Sequence, residues 1–193
     1  TNFRVNDDVG QFFQGWPSVS LDYRGDFVVT WKDDREGIYN IYAQRYDSSG
    51  NPVGGNFRVD DDTTAAGQDW PSVSLAPRGE FVLAWSDNRN GDWDTYAQIY
   101  EANGPPLGSN FKANADTGGA WQLLSSIAVS ADGHFVIAWT DGRNYSRTLD
   151  DIYAQGYDPD GNALGSNFKV NDDSLHTEQW SSSIASDQIG NFV

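Results

Sequence analysis

The stretch Gly25–Tyr46, GDFVVTWKDDREGIYNIYAQRY, returns as Gly79–Tyr100, GEFVLAWSDNRNGDWDTYAQIY. It returns again as Gly133–Tyr157, GHFVIAWTDGRNYSRTLDDIYAQGY, and begins a fourth time at Gly190. A chain that repeats one supersecondary unit buries each copy against its neighbours and folds as an array. Asn-Phe dipeptides mark the period: Asn2, Asn56, Asn110 and Asn167 lie 54, 54 and 57 residues apart. The units are therefore 2–55, 56–109, 110–166 and a partial 167–193, read together as a single repeat domain.

Each full unit reads as four short strands, in the first copy Asn2–Asn6, Pro17–Leu21, Phe27–Trp31 and Ile41–Tyr46. All are rich in β-branched and aromatic residues that alternate with period two. In Phe27–Trp31 one face carries Phe27, Val29 and Trp31, and the other carries Val28 and Thr30. A strand that is bulky on one side, small on the other and largely apolar on both is buried on both faces. Radially stacked sheets bury strands in this way. The expected fold is all-β, a repeat array of four-stranded antiparallel sheets arranged as β-propeller blades, about four of them with the last incomplete. Ser18, Ser20, Ser72 and Ser74 suit the crowded innermost strand. Gly25, Gly79, Gly133 and Gly190 hold a fixed offset before the third strand, as a turn residue with positive φ requires. The blades are expected to be staggered against the repeat, with Asn2–Asn6 as an outer strand.

Composition narrows the function. The formal net charge is −16, which repels phosphate backbones and excludes nucleic acid as a partner. No run of about 18 apolar residues is present, so no membrane insertion is expected. The absence of cysteine removes disulfides, thiolate catalysis and Cys-based zinc sites. Methionine is absent even at position 1, which reads as a processed or trimmed product.

The pattern WxDxRxG, followed by IYAQRYDxxGNPxG and NFxVN, resembles repeats of large secreted and surface-attached bacterial proteins. The likeness covers the whole chain and rests on Asp33/Arg35, Asp87/Arg89 and the Tyr-Ala-Gln triplets. It implies a β-propeller-like, extracellular, mostly non-catalytic module. The third unit departs from it: Tyr145 stands where the others have Gly37 and Gly91, and three extra residues precede Asp151.

Four constellations are candidates for function. Asp33–Arg35, Asp87–Arg89 and Asp141–Arg143 read as repeated structural pairs; the alternative is a sialidase-like cluster of three arginines on a sugar carboxylate. Asp7, Asp8, Asp61, Asp62, Asp172 and Asp173 read as turn caps, with Ca²⁺ binding as the alternative. No other cofactor or metal is expected. The aromatics Phe12, Phe13, Trp16, Trp70, Trp121 and Trp180 read as packing at the blade mouth, and as the place where a glycan or partner chain would bind. Asn144 opens the sequon Asn-Tyr-Ser and is a glycosylation candidate.

The expectation drawn from these readings is a non-enzymatic extracellular or cell-surface module with a structural or adhesive role. It is expected to associate with itself through its terminal strands, completing a neighbour's sheet and forming polymers or filaments. The alternative is a carbohydrate-binding or sialidase-like propeller.

Overall fold

The computed structural model describes residues 2–173, 176–187 and 190–193. Twelve strands form three four-stranded antiparallel sheets in a propeller-like, all-β arrangement. The first sheet holds β1 (Gln14–Leu21), β2 (Phe27–Asp33), β3 (Asn40–Tyr46) and β4 (Pro52–Arg58), paired in that order. The second holds β5 (Gln68–Leu75), β6 (Phe81–Asp87), β7 (Asp94–Tyr100) and β8 (Pro106–Lys112). The third holds β9 (Gln122–Val129), β10 (Phe135–Asp141), β11 (Asp151–Tyr157) and β12 (Ala163–Lys169). One short helix, α1 (Tyr145–Thr148), interrupts the β10–β11 loop where the third unit carries its extra residues.

The alternation in the third predicted strand sets how the sheets stack. Phe81, Leu83 and Trp85 from the bulky face of β6 share a core with Val28, Ile41 and Ala43 of the first sheet. Phe135, Ile137 and Trp139 from the bulky face of β10 share a second core with Val82, Ala84, Ala97 and Ile99 of the second sheet. The bulky faces of the second and third sheets thus pack on the small face of the sheet before, whereas Phe27 and Val29 on the bulky face of the first sheet are half-buried.

The innermost strands β1, β5 and β9 lie side by side. Serine hydroxyls join them where backbone pairing is absent. Ser18 Oγ accepts from Val73 N at 3.3 Å, Ser20 Oγ from Leu75 N at 3.0 Å, and Ser74 Oγ from Val129 N at 3.0 Å. A larger side chain would separate strands that must converge on the axis, and Ser satisfies a buried donor while staying small. At the opposite end of the sheets the tight turns hold Gly25, Gly79 and Gly133 at φ of 89°, 99° and 89°, as predicted.

The strand frame differs from the expected one in one respect. Asn2–Asn6 is not a strand. Its copies form the end of β4 and β8 and the crossover to the next sheet, where Phe57 packs on Tyr100 at 5.6 Å and Phe111 on Tyr157 at 5.5 Å. Phe3 packs on Tyr46 in the same way at 5.4 Å, and Asn56 Nδ2 donates to Val5 O at 3.3 Å. The residues occupy the crossover position, and among the described residues no strand pairs with them. Correspondingly, Val19 of β1 is 57% exposed, whereas its counterparts Val73 and Ile127 are each 6% exposed.

Leu83 is fully buried between two sheets. Leu83→Ala is expected to cost about 2–5 kcal/mol in urea unfolding, against about 0.5 kcal/mol or less for Val53→Ala on the exposed strand β4.

Candidate functional site

One end of the three sheets gathers the variable residues. It is the end where β2, β6 and β10 finish, where β3, β7 and β11 start, and where each crossover enters the next inner strand. Its frame is a repeated strut. Asp33 is fully buried; its Oδ2 accepts from Trp31 Nε1 at 2.9 Å and from Arg35 Nη2 at 2.8 Å, and its Oδ1 accepts from the Arg35 backbone N at 2.9 Å. Asp87 repeats this with Trp85 and Arg89, and Asp141 with Trp139 and Arg143. Each guanidinium also lies over a tyrosine ring: Arg35 over Tyr42 at 4.2 Å, Arg89 over Tyr96 at 4.4 Å and Arg143 over Tyr153 at 4.0 Å. Burial alone would raise the pKa of Asp33, but the hydrogen bonds from Arg35 and Trp31 outweigh it and hold the carboxyl below its ordinary value.

The acidic crossovers brace these struts. Asp7 accepts from Arg35 at 2.8 Å and Asp61 from Arg89 at 2.6 Å. Asp8 accepts from the side chain of Asn6, and Asp62 from Thr64 and Gln68. Asp173 accepts from Thr177 and Asn171, while Asp172 is exposed. Among the described residues no group of three His, Cys, Asp or Glu side chains is placed to hold a metal ion. The Asn144 side chain is turned inward, donating to Tyr153 Oη at 3.0 Å and Asp151 Oδ2 at 3.4 Å.

Aromatic rings stand on this frame, one contacting pair per sheet. Phe13 meets Tyr39 at 6.0 Å, Trp70 meets Trp93 at 5.8 Å and Trp121 meets Tyr145 at 5.1 Å. Phe12, Phe13, Trp16, Tyr39, Tyr145 and Trp180 are exposed. Trp16, Trp70, Leu124 and Ser181 all have positive φ, between 48° and 57°, at one repeated position. In the three sheets this residue sits at a break in register between the inner strand and its neighbour. A bulge re-aims side chains at a sheet end, and a left-handed non-glycine residue is strained. The sequence pattern gave no notice of it, because Trp and Leu are unusual in that conformation.

Three residues break the repeat here. Lys32 stands where Ser86 and Thr140 stand in the other sheets, and Asp69 where Gly15 and Leu123 stand. Lys32 Nζ donates to Asp69 Oδ2 at 2.5 Å across the junction of the first two sheets, and lies 3.8 Å from the centre of the Tyr39 ring. A Cβ at Gly15 would come within 2.8 Å of the Phe13 ring, which would have to turn aside. Asp150 occupies the position of Tyr39 and Trp93: all three carbonyls accept from the first residue of the next inner segment, Gln179, Gln68 and Gln122. Asp150 is buried, its Oδ1 accepts from Trp121 Nε1 at 2.9 Å, and its Oδ2 has no hydrogen-bond partner among the described residues. Reading the units for what fails to repeat would have singled out Lys32, Asp69 and Asp150.

No protein-family model matches this chain, and no curated protein matches it. Solved structures share its fold. A Penicillium chrysogenum α-L-arabinanase complexed with arabinobiose superposes with a TM-score of 0.58 at 14% identity, over 91% of this chain and 56% of that one. A subtype N10 neuraminidase-like protein of A/little yellow-shouldered bat/Guatemala gives 0.55 at 13% identity, over 90% and 47%. A family 117 glycoside hydrolase from the marine bacterium Zobellia galactanivorans gives 0.54 at 11% identity, over 86% and 59%. The chain spans about half to three-fifths of the length of these structures.

These likenesses correct the functional expectation. A non-catalytic structural or adhesive module that assembles into filaments is set aside, and so is the reading that the chain is not an enzyme, because the structures sharing this fold are glycoside hydrolases and a neuraminidase-like protein. The repeated Asp–Arg pairs report what stacking requires of every sheet and carry no information about a ligand. Among the described residues no helix is long and apolar enough to cross a membrane.

Two outcomes follow for the strut. Asp87→Ala strands Arg89 and the Trp85 indole and is expected to cost about 3–5 kcal/mol in denaturant unfolding. Asp33, Asp62 and Asp151 all have lowered pKa values, so their contribution is complete above the unfolded value of about 4 and is lost as pH falls through the folded values. Asp60, whose pKa burial raises, acts in the opposite sense and is outnumbered. The thermal midpoint is expected to hold between neutral pH and about pH 5 and to fall below about pH 4.

Proposed function

We propose that this chain is a carbohydrate-active β-propeller that handles a glycan at the rim around Lys32 and Asp69. The observation that carries the reading is the Lys32–Asp69 pair itself. It is polar, largely buried, absent from the other sheets, and flanked by exposed Phe13 and Tyr39, whose ring centres lie 5.9 and 3.8 Å from Lys32 Nζ; exposed Trp16 follows Gly15, the strand partner of Lys32. Aromatic faces beside a few fixed polar groups suit sugar rings, which present C–H faces and hydroxyl edges. The propeller fold, shared with glycoside hydrolases, agrees with this reading.

Hydrolysis of a glycosidic bond takes a pair of carboxyl groups in different surroundings. Asp69, held beside an ammonium, and Asp150, buried on an indole with one oxygen unpartnered among the described residues, are the rim carboxyl groups we assign to that chemistry. The ring is proposed to contain about four blades. Residues 180–187 support this: Ser182 Oγ lies 3.2 Å from Ser126 Oγ, Ser186 Oγ donates to Val129 O at 2.8 Å, and Asp187 N donates to Asn191 O at 2.9 Å. They sit where the inner strand of a further blade belongs. A location outside the cell is part of the same proposal.

Reducing-sugar release from a polysaccharide panel tests the reading. The wild-type chain is expected to cleave at least one substrate, and Asp69→Asn to lower the rate by about 10²-fold or more with the fold verified by circular dichroism. Neither cleavage nor binding of any glycan would sink the proposal.

A further inference from the structure

We infer that the rim takes an uncharged glycan and excludes sugars bearing carboxylates; this rests on reading the rim as a glycan site. An acidic sugar needs a cation with donors to spare, best a guanidinium presenting its fork. Of the three repeated arginines, Arg35 and Arg89 have both ends of the guanidinium engaged, and Arg143 keeps only Nη1 outside its pair with Asp141. Arg35, Arg89 and Arg143 each donate to the aspartate two residues earlier at 2.6–2.8 Å, and each has a tyrosine ring against its plane. Arg35 and Arg89 carry a second aspartate on Nη1. Lys112 and Lys169 are likewise held by Asp94 at 2.6 Å and Asp151 at 2.7 Å. Drawing any of these cations toward a ligand would leave a buried carboxylate unpaired, at a cost a weak surface contact cannot offset.

Lys32, the cation at the junction of the first two sheets, has Ser86 and Thr140 as its counterparts and is neutralised by Asp69. The pair as a unit is uncharged yet still polar in both senses. Lys32 has three donors; Asp69 takes one, and the Tyr39 ring engages the ammonium from 3.8 Å. Asp69 accepts from Lys32 and from the Trp70 backbone N at 2.9 Å, which leaves lone pairs on a carboxylate. A vicinal diol matches this arrangement, one hydroxyl accepting from the ammonium and its neighbour donating to the carboxylate. The surrounding field completes the argument: 28 acidic against 12 basic residues give a net charge of −16, which repels an anionic polymer before it arrives. Phe13, Trp16 and Tyr39 supply apolar faces whose attraction for a neutral ring does not depend on salt.

Tryptophan fluorescence titration decides the matter, with neutral oligosaccharides and their sialylated or uronic counterparts, at low salt and at physiological salt. Neutral ligands are expected to bind at least about tenfold more tightly than the acidic ones, with little salt dependence, and Trp16→Ala to weaken that binding about tenfold. Acidic glycans binding as tightly as neutral ones, and releasing in salt, would overturn the inference while leaving the glycan reading intact. Neutral binding that Trp16→Ala and Tyr39→Ala both leave unchanged would overturn the location. Binding of no glycan would remove the reading and the inference together.

Discussion

Everything in this molecule depends on a bulky sheet face meeting a small one. Phe81, Leu83 and Trp85 press on Val28, Ile41 and Ala43, and one sheet further on Phe135, Ile137 and Trp139 press on Val82, Ala84 and Ala97. Two bulky faces would hold the sheets too far apart, and two small ones would leave voids. Alternating the two within every strand lets one sequence serve as both partners, so a duplicated unit fits its own copy. The same geometry dictates the serines. Where inner strands converge there is no room for large side chains and no ladder to satisfy the amides, and Ser18, Ser20 and Ser74 answer both needs.

The Asp–Arg struts take their meaning from that stack. Each aspartate lies at the end of a strand buried on both faces, where a bare carboxylate would be costly. Trp Nε1, Arg Nη2 and a backbone amide supply the compensating donors, and a Tyr ring supports the guanidinium. The strut fixes the start of the following loop while leaving the rest of it outside the core. That freedom is visible at the third sheet, where the loop admits three more residues and α1, with Leu149 at φ 64°, and still returns to register at Asp151.

Much of the fold could be read from the residues. Period-two alternation located the strands, the two-faced FVVTW pattern predicted burial from both sides, and the fixed glycines marked the turns, because each of these signals is local. The outer strand was misplaced. In the three later copies of NFRVN only the first residues belong to β4, β8 or β12, and the rest is crossover, a division set by where the neighbouring sheet lies. The bulge at Trp16, Trp70 and Leu124 was invisible because the backbone there is held in a conformation the side chains disfavour. Lys32 and Asp69 are 37 residues apart, in two different units, and nothing in either unit alone joins them.

That separation explains why a repeat sequence hides its site. Residues kept in every unit are those the stacking requires, and stacking makes the same demand at every junction. A glycan would not share the symmetry of the repeat, so whatever engaged it would have to come from positions where the units differ. Lys32 meets Asp69 at one junction only, because the corresponding junction at the next sheet offers Ser86 and Leu123, which form no ion pair. Asp150 replaces an aromatic ring at one loop only, the loop that also departs in length. The scaffold tolerates these exceptions because they stand at the sheet ends, beyond the faces whose complementarity holds the array together.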